Sequence, residues 1–543
     1  MAPSNAVNHV QNSRKVYLYG CGVVAPGASN LSDFLANVRR HTPTLETSSA
    51  LNGAFMVGNP QFDFEQYRPW ISERHNPARF SQLNEKAGFN VKCAVGMAIQ
   101  ALNGNEGLEK GLKELDPRVM ICIGSGFGDV QASFQAHDEL EKARKSWDKF
   151  WATSKRNEVI EKFLEKKIPD NNAPQNPLDF EIDSEERALA WDKWNSYWAP
   201  QSPQLKEFML EFSAIERQNV GNDVASDKLN LIRAKAKAKK ALVEKYGCPT
   251  LPWDAVSANF LWNIPNVPAS QVSMLLGIHG VSYASIGACA TFGLVMRQAL
   301  DAIQSGSVDA AIIGTVDLPP PGEITAGFYA AKVLAAGNEV AIPLCDLRGT
   351  HVSGGGCLWI LGAEDALSAV GVKHKGVRVL SVGLSSDAEH IITPSSEGPK
   401  HSIREAYSRA GITPKDIHTW DMHATGTPGD SSEFKLIEDF VPKNAVITAR
   451  KGIFGHGMSS CGGWEVTAQV FGVTLNKGSY VIPASGIAKS AVHTSIASLG
   501  RRVALDSDET VEAPNGLICG KLSMGIGGIS SCILTKVEPP SGD

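Results

Sequence analysis

The chain has 543 residues, of which 43% are hydrophobic and 20% charged, a balance typical of globular proteins. A net charge of −5 argues against a general nucleic-acid-binding protein, which would usually be basic. We expect no signal peptide and no membrane span, because no apolar run has the required length. The ten cysteines form no CxxC pair, so we expect neither a zinc site nor a disulfide framework. We therefore expect the protein to be cytoplasmic.

Short apolar strands and helical segments alternate from about residue 14 to residue 136. Val16–Val24 is an apolar run that leads into Pro and Gly, which predicts a buried strand and a turn. A helical pattern follows near Glu85–Leu102. Val119–Ile123 predicts a second buried strand, which enters a glycine-rich loop.

Residues 137–252 have a different composition and a helical periodicity. Five tryptophans fall in two clusters at spacings of three, four and seven, which places the rings of each cluster on one helix face: Trp147, Trp151, Trp191, Trp194 and Trp198. The stretch Lys228–Lys245 is basic. We interpret this zone as a helical insertion into an α/β domain.

Strands and helices alternate again from residue 255 to residue 537. The predicted strands are Ala310–Thr315, Cys357–Gly362 and Val377–Gly383. The predicted helices are Gln298–Gln304, Ser402–Ala410 and Glu433–Phe440. This alternation is typical of a layered α/β architecture in which helices cover the sheets.

Cys289 lies between a short apolar stretch and a predicted helix, in the segment Ser285-Ile-Gly-Ala-Cys-Ala-Thr-Phe-Gly. A cysteine at a helix start is close to free N–H groups and to the positive end of the helix dipole. Both effects favour the thiolate, which is the nucleophilic form. A cysteine among small apolar residues is also common as a packing residue, so this segment alone leaves both roles open.

Two histidines lie in loops rich in glycine and threonine. His423 follows an apolar run and precedes a hydroxyl-rich turn, and His456 lies between two glycines, where the backbone can approach a ligand closely. A single histidine is usually a packing or surface residue. Two of them in such loops, together with a cysteine at a helix start, are harder to explain by packing.

Together these segments resemble the motifs of the β-ketoacyl synthases of fatty-acid and polyketide synthesis. Ala288-Cys-Ala-Thr resembles the TACAT or TACSS nucleophile motif, and His423-Ala-Thr-Gly-Thr-Pro resembles HGTGTP. Lys451-Gly-Ile-Phe-Gly-His, followed by Gly462-Gly-Trp-Glu, resembles KSxxGHxxGAAGxxE. Ser523-Met-Gly-Ile-Gly-Gly resembles SFGFGG. The four motifs occur in the family's order, and the resemblance covers nearly the whole chain except the insertion.

The resemblance implies a thiolase-like α/β fold, with five layers (α-β-α-β-α) built from two similar halves and extended here by the insertion. The first half, residues 14–310, would carry the nucleophile and contain the insertion at residues 137–252. The second half, residues 311–537, would carry both histidines. Enzymes of this family are usually homodimers, and a heterodimer with a second ketosynthase-like chain is also open.

The implied activity is that of a β-ketoacyl-acyl carrier protein synthase with a Cys-His-His catalytic set, Cys289, His423 and His456. Cys289 would accept an acyl group from the phosphopantetheine of an acyl carrier protein, and a malonyl-type extender would then lose CO₂ and attack the thioester. The resemblance implies no metal and no separate cofactor.

The resemblance also implies supporting roles. His423 and His456 would donate hydrogen bonds to the extender thioester, and the N–H groups of Cys289 and Ile526 would form an oxyanion hole. Lys451 and Glu465 would orient the histidines, although a surface ion pair is an alternative for Glu465. The implied substrate-binding residues are Thr425, Thr427, Gly525 and Gly527.

Several positions depart from the family pattern. Ile526 replaces the gatekeeping Phe of GFGG, and Ile529-Ser530 replaces the Thr-Asn that follows it. In the segment that resembles RDGFVxGEGAG, Gly355 stands in place of the acidic residue, which puts in doubt the polar network that the acid supports in relatives. Asp430 comes one residue early after the HGTGTP-like motif.

Other interpretations remain open. The same fold could carry a non-elongating acyltransferase, or a silent partner subunit of a ketosynthase heterodimer, although silent subunits usually lack the nucleophile that Cys289 provides. The basic stretch Lys228–Lys245 could help to dock an acidic carrier protein. The alternative is a solvated helix that covers the edge of a dimer.

Overall fold

The computed structural model describes residues 14–219, 224–389, 391, 396–487 and 490–539. The N-terminal segment on which the signal-peptide expectation rests lies outside these residues. The chain forms two compact units, one of Met1–Val130 with Leu261–Asp543 and one of Gln131–Phe260. In the described parts of the chain, none of the helices combines the length and the apolar character that crossing a membrane requires.

The strands are β1 Val16–Val24, β2 Glu46–Thr47, β3 Met56–Val57, β4 Val119–Gly124, β5 Ser282–Tyr283, β6 Ala310–Asp317, β7 Gly355–Ala363, β8 Val377–Ser386, β9 Thr419–Asp421, β10 Val446–Thr448, β11 Thr474–Asn476, β12 Ser479–Ile482, β13 Arg502–Val503, β14 Glu509–Glu512, β15 Leu517–Met524 and β16 Ile529–Val537.

The helices are α1 Leu31–Arg40, α2 Arg68–Arg74, α3 Ala78–Lys86, α4 Phe89–Asn103, α5 Leu108–Glu114, α6 Val130–Trp151, α7 Glu158–Leu164, α8 Glu185–Trp198, α9 Pro203–Glu216, α10 Val224–Tyr246, α11 Pro252–Ala255, α12 Val267–Leu276, α13 Thr291–Gln304, α14 Gly322–Ala330, α15 Glu364–Ala369, α16 Glu397–Ala410, α17 Gly429–Leu436, α18 Lys451–Phe454, α19 Cys461–Phe471 and α20 Thr494–Ala497.

One strand order occurs twice in the large sheet, as β5-β4-β6-β7-β1 and as β10-β9-β15-β16-β8. In each copy the second strand in the chain lies between the third and the fourth and runs parallel to both. The fourth strand then pairs antiparallel with the fifth, and the fifth with the first. The predicted architecture of two similar α/β halves is therefore confirmed. The first copy of the strand order ends at Ala363 and the second begins at Val377. The boundary predicted from the sequence, at residue 310, lies two strands earlier.

Five layers follow from how the buried side chains are shared. α4 and α12 cover one face of the first-half strands, and α13 and α19 cover the other face. The buried cluster of α13 and α19 also reaches the second-half strands, whose opposite face packs against α16 and α17. The apolar runs that predicted buried strands have this sandwiched position, because strands covered on both faces need few polar residues.

The unit Gln131–Phe260 is helical and has its own aromatic core. Trp147, Trp151, Trp194 and Trp198 are buried together, whereas Trp191 is partly exposed. The indole rings of Trp147 and Trp151 lie 5.4 Å apart between centroids, and those of Trp194 and Trp198 lie 5.7 Å apart. The predicted spacing thus places these four rings in the interior of the unit.

Much of the positive charge of α10 is paired inside this unit. Lys235 and Lys239 both pair with Glu216, at 3.4 and 3.1 Å, and Lys245 pairs with Glu211 at 2.6 Å. Such pairs reduce the field that the helix presents to an acidic partner. Docking of a carrier protein on Lys228–Lys245 therefore stays a prediction, and these ion pairs argue against it.

A neighbouring indole ring occupies the space beside Gly355, the position at which the family motif has an acidic residue. It starts β7 with φ = 134°, and a Cβ added there would lie 2.3 Å from Val24 O and 2.8 Å from Trp464 Cζ2. The Trp464 indole is fully buried and donates from Nε1 to Gly356 O at 2.9 Å. Trp464 thus fills the space that an acidic side chain at residue 355 would need, which explains why this position is a glycine.

We expect Gly355→Ala to lower the free energy of unfolding by about 2–4 kcal/mol, because it combines an unfavourable backbone conformation with a clash against packed atoms. Gly371→Ala is the matched control, since Gly371 also has a positive φ (79°) but has no atom within 4 Å of an added Cβ. It should cost about 1 kcal/mol. Urea unfolding followed by circular dichroism measures both, and equal losses would contradict the packing argument.

Candidate active site

Cys289 lies on a strained turn at the start of a buried helix. It is the middle residue of a single 3₁₀ turn, Ala288–Ala290, that leads directly into α13. Ala288 has φ = 46°, a left-handed conformation that is unfavourable for a residue with a Cβ. Thr291 stabilises the turn, because its hydroxyl donates to Ala288 O at 2.6 Å and accepts from the Gly287 N–H at 2.9 Å.

Two loops of the second half bring the histidines to this turn. His423 follows β9, and His456 follows α18. The ring centroids are 5.5 Å apart and the ring planes are nearly perpendicular, at 87°. The Cys289 sulfur and one nitrogen of each ring all lie within 4.8 Å of one another, and all three residues are buried. The structure therefore brings the three predicted catalytic residues together.

A cavity of about 250 Å³ opens onto these three side chains. Thr425 and Thr427 line it, with their hydroxyl oxygens 3.0 Å apart, and so do Gly525 and Ile526. Gly527 is not among the lining residues, and its N–H donates to Ile391 O at 2.7 Å. Three of the predicted substrate-binding residues are thus at the cavity and the fourth is not. Apolar and polar residues share the remaining wall: Phe328, Val333, Thr350, Ser396, Ala424, Gly429, Asp430, Ser432, Glu433, Leu436 and Met524.

Two carboxylates on α17 hold the main chain that carries His423. Glu433 accepts hydrogen bonds from the N–H groups of His423 and Ala424, at 2.7 and 2.8 Å. Asp430 accepts from the N–H groups of Thr425 and Gly426, at 2.8 and 3.1 Å. Four consecutive N–H groups are therefore bound by two buried carboxyl groups. Burial raises the pKa of Glu433 to about 7 and also raises that of Asp430.

Lys451 and Glu465 form a buried ion pair next to the same loop. The Lys451 ammonium is 2.6 Å from Glu465 Oε1 and also donates to His423 O. Neither side chain is more than 1% exposed, so the surface alternative for Glu465 is wrong. A buried pair of this kind depends on both partners, since removing one leaves an uncompensated charge.

Burial sets the protonation of the three central side chains. It raises the pKa of the Cys289 thiol to about 11, against the lowering effects of the Lys451 charge and of main-chain hydrogen bonds from Ile526 and Cys289. The thiolate expected at the helix start is therefore wrong for the resting site, because lost hydration outweighs the helix terminus. Burial, together with the Lys451 charge, also lowers the pKa of His456 to about 3 and that of His423 well below its ordinary value. Both rings are neutral near pH 7.

A main-chain contact fixes the tautomer of His456. The Met458 N–H donates to His456 Nδ1 at 3.1 Å, so the neutral ring carries its proton on Nε2. The three residues also have the composition of a zinc site, but a ring with one lone pair engaged and the other nitrogen protonated is a poor ligand. His423 differs, because its Nδ1 is buried and has no hydrogen-bond partner among the described residues.

Two family models match the chain in sequence. The model of the beta-ketoacyl synthase N-terminal domain matches residues 234–366, and that of the beta-ketoacyl synthase C-terminal domain matches residues 377–480. Residues 234–366 and 377–480 thus match both domains of the β-ketoacyl synthase family. The change between the two matched domains falls where the strand repeat changes over.

Curated relatives match part of this chain. It is 30% identical over 230 residues to 3-oxoacyl-(acyl-carrier-protein) synthase 2 of Staphylococcus aureus (strain COL), a match that covers 40% of this chain and 55% of the relative. It is 27% identical over 215 residues to nodulation protein E of Rhizobium leguminosarum bv. trifolii, covering 39% and 53%. The chain thus spans about half the length of the curated relatives it matches.

Solved structures share the fold over almost the whole chain at low sequence identity. The ishigamide ketosynthase/chain length factor has a TM-score of 0.63 at 17% identity, covering 97% of this chain and 100% of that chain. The ketosynthase ApeO in complex with its chain length factor ApeC, from Xenorhabdus doucetiae, has a TM-score of 0.58 at 17% identity, covering 96% and 98%. These likenesses confirm the thiolase-like fold.

The candidate site also contains charged residues that the sequence motifs did not indicate. Glu433 holds the His423 loop, whereas the sequence pattern indicates this residue only as the start of a helix. Asp421, Arg450 and Lys521 are buried beside the loop and are at most 1% exposed. A weak signal existed for Lys521, because a single lysine in an otherwise apolar strand predicts a buried partner of opposite charge.

We expect Cys289 to react slowly with iodoacetamide at pH 7, with a rate that rises about tenfold per pH unit up to at least pH 9.5, because only the thiolate reacts. Mass spectrometry of the Cys289 peptide after timed alkylation measures the rate. An unstructured cysteine peptide with blocked termini is the control, since a free thiol with a pKa of about 8.5 reaches its plateau near pH 9.5. A Cys289 rate that levels off below pH 9 would contradict the raised pKa.

Proposed function

We propose that this ketosynthase catalyses the decarboxylative Claisen condensation of an acyl group on Cys289 with a malonyl-type extender on an acyl carrier protein. The observation that carries the proposal is the placement of one sulfur and two imidazole nitrogens within 4.8 Å of one another at the wall of a cavity. A thioester bound there can meet a nucleophile and two hydrogen-bond donors at once. The pathway would be fatty-acid or polyketide-type biosynthesis.

The first stage is loading of Cys289. Its sulfur attacks the carbonyl carbon of an acyl-phosphopantetheine thioester, the old C–S bond breaks, and the thiol proton passes to the leaving pantetheine sulfur. The N–H groups of Cys289 and Ile526 bind the developing oxyanion, and their contacts with the Cys289 sulfur support this role.

The second stage is condensation. The extender loses CO₂, the electrons of the broken C–C bond form an enolate, and the enolate carbon attacks the acyl-Cys289 thioester. The C–S bond to Cys289 then breaks, and the sulfur recovers a proton. His456 donates from Nε2 to the enolate oxygen, since its tautomer leaves that nitrogen protonated. His423 donates to the same oxygen, while Lys451 and Glu465 hold its main chain.

The carrier protein and the quaternary state belong to the proposal as well. The extender and the acyl group would arrive on the phosphopantetheine arm of a carrier protein, with Thr425 and Thr427 contacting the arm in the cavity. Among the structural neighbours, AntDE:AntF is an acyl-carrier protein in complex with its ketosynthase, with a TM-score of 0.62 at 13% identity over 97% of this chain and 100% of that chain. Two others are ketosynthases with chain length factors. A homodimer and a heterodimer of this kind are both compatible with the proposal.

Two other functions fit the same fold. A non-elongating acyltransferase would use Cys289 to pass the acyl group to another acceptor without loss of CO₂. A silent partner subunit has support in the chain length factors among the structural neighbours, but the buried nucleophile beside two imidazoles argues against it.

Incubation with acyl-carrier and malonyl-carrier proteins, followed by mass spectrometry, tests the proposed function. We expect an acyl adduct on Cys289 and a carrier-bound β-ketoacyl product that is two carbons longer, and Cys289→Ala should form neither. Cys345→Ala, which changes a cysteine away from the central set, is the control. Transfer of the acyl group without elongation would favour the acyltransferase, and absence of any adduct would favour the silent subunit.

We expect His423→Ala and His456→Ala to retain loading but to lower the condensation rate by about 100- to 1000-fold each, the usual loss when one donor to a developing oxyanion is removed. Loading is followed by the acyl-Cys289 mass, and condensation by release of CO₂ from the malonyl group. The two rates are compared in one preparation, so a misfolded variant is recognised by lost loading. A variant that condenses at the normal rate would refute the role of that histidine.

A further inference from the structure

Five charged side chains form a continuous buried chain behind the His423 loop. Their signs alternate: Arg450 pairs with Asp421, Asp421 with Lys521, Lys521 with Glu465, and Glu465 with Lys451. None of the five side chains is more than 1% exposed. The family motifs account for Lys451 and Glu465 alone. The chain of charges therefore extends well beyond what the motifs predict.

Lys521 is the centre of this chain of charges. It lies on β15, directly opposite Asp421 of the parallel neighbour β9. Its ammonium is 2.7 Å from Glu465 Oε2 and 3.3 Å from Asp421 Oδ1. Within the described part of the protein it is the one cation that pairs with both Asp421 and Glu465. Its removal would therefore break the row of alternating charges into two separate ion pairs.

The same ammonium reaches the main chain next to His423. Lys521 Nζ donates to Met422 O at 2.9 Å, and Lys451 Nζ donates to His423 O. Two consecutive carbonyl groups are therefore held by two lysines, which share the carboxylate of Glu465. Charge-assisted hydrogen bonds of this kind are stronger and shorter than neutral ones. Together with the carboxylate of Glu433 they leave the peptide groups on both sides of His423 little freedom.

We propose that Lys521 is a positioning residue for the condensation step, which acts with Lys451 to hold the main chain at Met422–His423 and so aims the His423 ring at the cavity. The inference rests on the proposed function for its kinetic consequence and on the geometry of the loop for the rest. Lys521 does not touch the cavity itself. Its effect on the reaction is therefore transmitted through His423.

The positive charge of Lys521 has a second effect on the same ring. A cation near a buried imidazole disfavours the imidazolium, and after burial itself the charges of Lys451, His456 and Lys521 lower the pKa of His423. Removal of Lys521 should therefore raise that pKa toward its ordinary value. The ring is faced by groups from every element around it: Cys289 before α13, Glu433 on α17, Lys451 on α18, His456 before α19, and Lys521 on β15, with Glu465 of α19 behind the two lysines.

The kinetic test compares Lys521→Met with the control Lys536→Met. Lys536 lies on the adjacent strand β16 and pairs with Glu538 at 2.6 Å, outside the chain of charges. We expect Lys521→Met to lower kcat for condensation by about 100-fold, the effect of a small misplacement of a catalytic group, with KM for malonyl-carrier protein and the rate of Cys289 loading changed less than about threefold. The control should match the wild type. A kcat within threefold of wild type in Lys521→Met would overturn the proposal.

The double variant Asp421→Asn/Lys521→Met separates positioning from charge balance, because it removes one cation and one anion and keeps the net charge of the site. If Lys521 only balances buried charge, the double variant regains wild-type condensation, and the proposal is wrong. If it positions His423, the double variant recovers stability while condensation stays about 100-fold slow. It also carries the test should Lys521→Met alone fail to fold.

A readout independent of the reaction completes the design. In protein labelled with ¹³C at the histidine Cε1, the His423 resonance is assigned by its loss in His423→Gln and then followed against pH. In Lys521→Met we expect a shifted resonance and a higher titration midpoint for His423. We also expect a higher midpoint for His456, whose pKa the Lys521 charge lowers too, and no change in the histidines outside the site. An unchanged His423 signal overturns the proposal. Absence of condensation by the wild type would instead overturn the proposed function, while the resonance still decides the role of Lys521.

Discussion

Buried charge around the main chain of residues 422–426 is the constraint on which the rest of the site depends. Four consecutive N–H groups bind carboxylates and two consecutive carbonyls bind ammonium groups, although the segment is an irregular loop after a strand of three residues. A loop of this kind has no ladder or helix to satisfy its polar groups, so side chains must do so. Charged partners hold it more firmly than neutral ones would. The position of the His423 ring follows from that arrangement.

The same burial decides the chemical character of the site. Lys451 keeps its proton in spite of desolvation, because Glu465 and other nearby anions raise its pKa. Burial lowers the pKa of both imidazoles and raises the pKa of the Cys289 thiol, so all three side chains are uncharged near pH 7. The site therefore presents neutral donors in a region where buried cations sit behind the ring of His423. Such a region favours negative charge that develops during a reaction, an enolate or a tetrahedral oxyanion, over negative charge on the resting sulfur.

The sequence revealed the central set because each motif is local. Cys289, His423 and His456 each stand in a short segment whose neighbours are recognisable on their own. The charges around them are not local, since Met422 and Lys521 are 99 residues apart and meet only through the pairing of β9 with β15. Gly355 is similar: its departure from the family motif is puzzling alone, and the contact with Trp464 explains it. The sequence alone could not show whether Glu465 is exposed, because a lysine–glutamate ion pair involves the same residue types at the surface and in the core.

The repeat of the fold explains why the nucleophile and the imidazoles meet. α13 of the first half and α19 of the second occupy the central layer, and each is preceded by one 3₁₀ turn, Ala288–Ala290 and Met458–Ser460. Both turns begin with a left-handed residue that is not glycine, Ala288 at φ = 46° and Met458 at φ = 48°. The two helices thus begin in equivalent, strained turns that lie side by side. Cys289 belongs to one turn, and His456 lies two residues before the other. Strain that recurs at equivalent places in both halves is a property of the shared architecture. The turn of the first half places a buried sulfur at the cavity, and the turn of the second half supplies a backbone N–H that holds an imidazole.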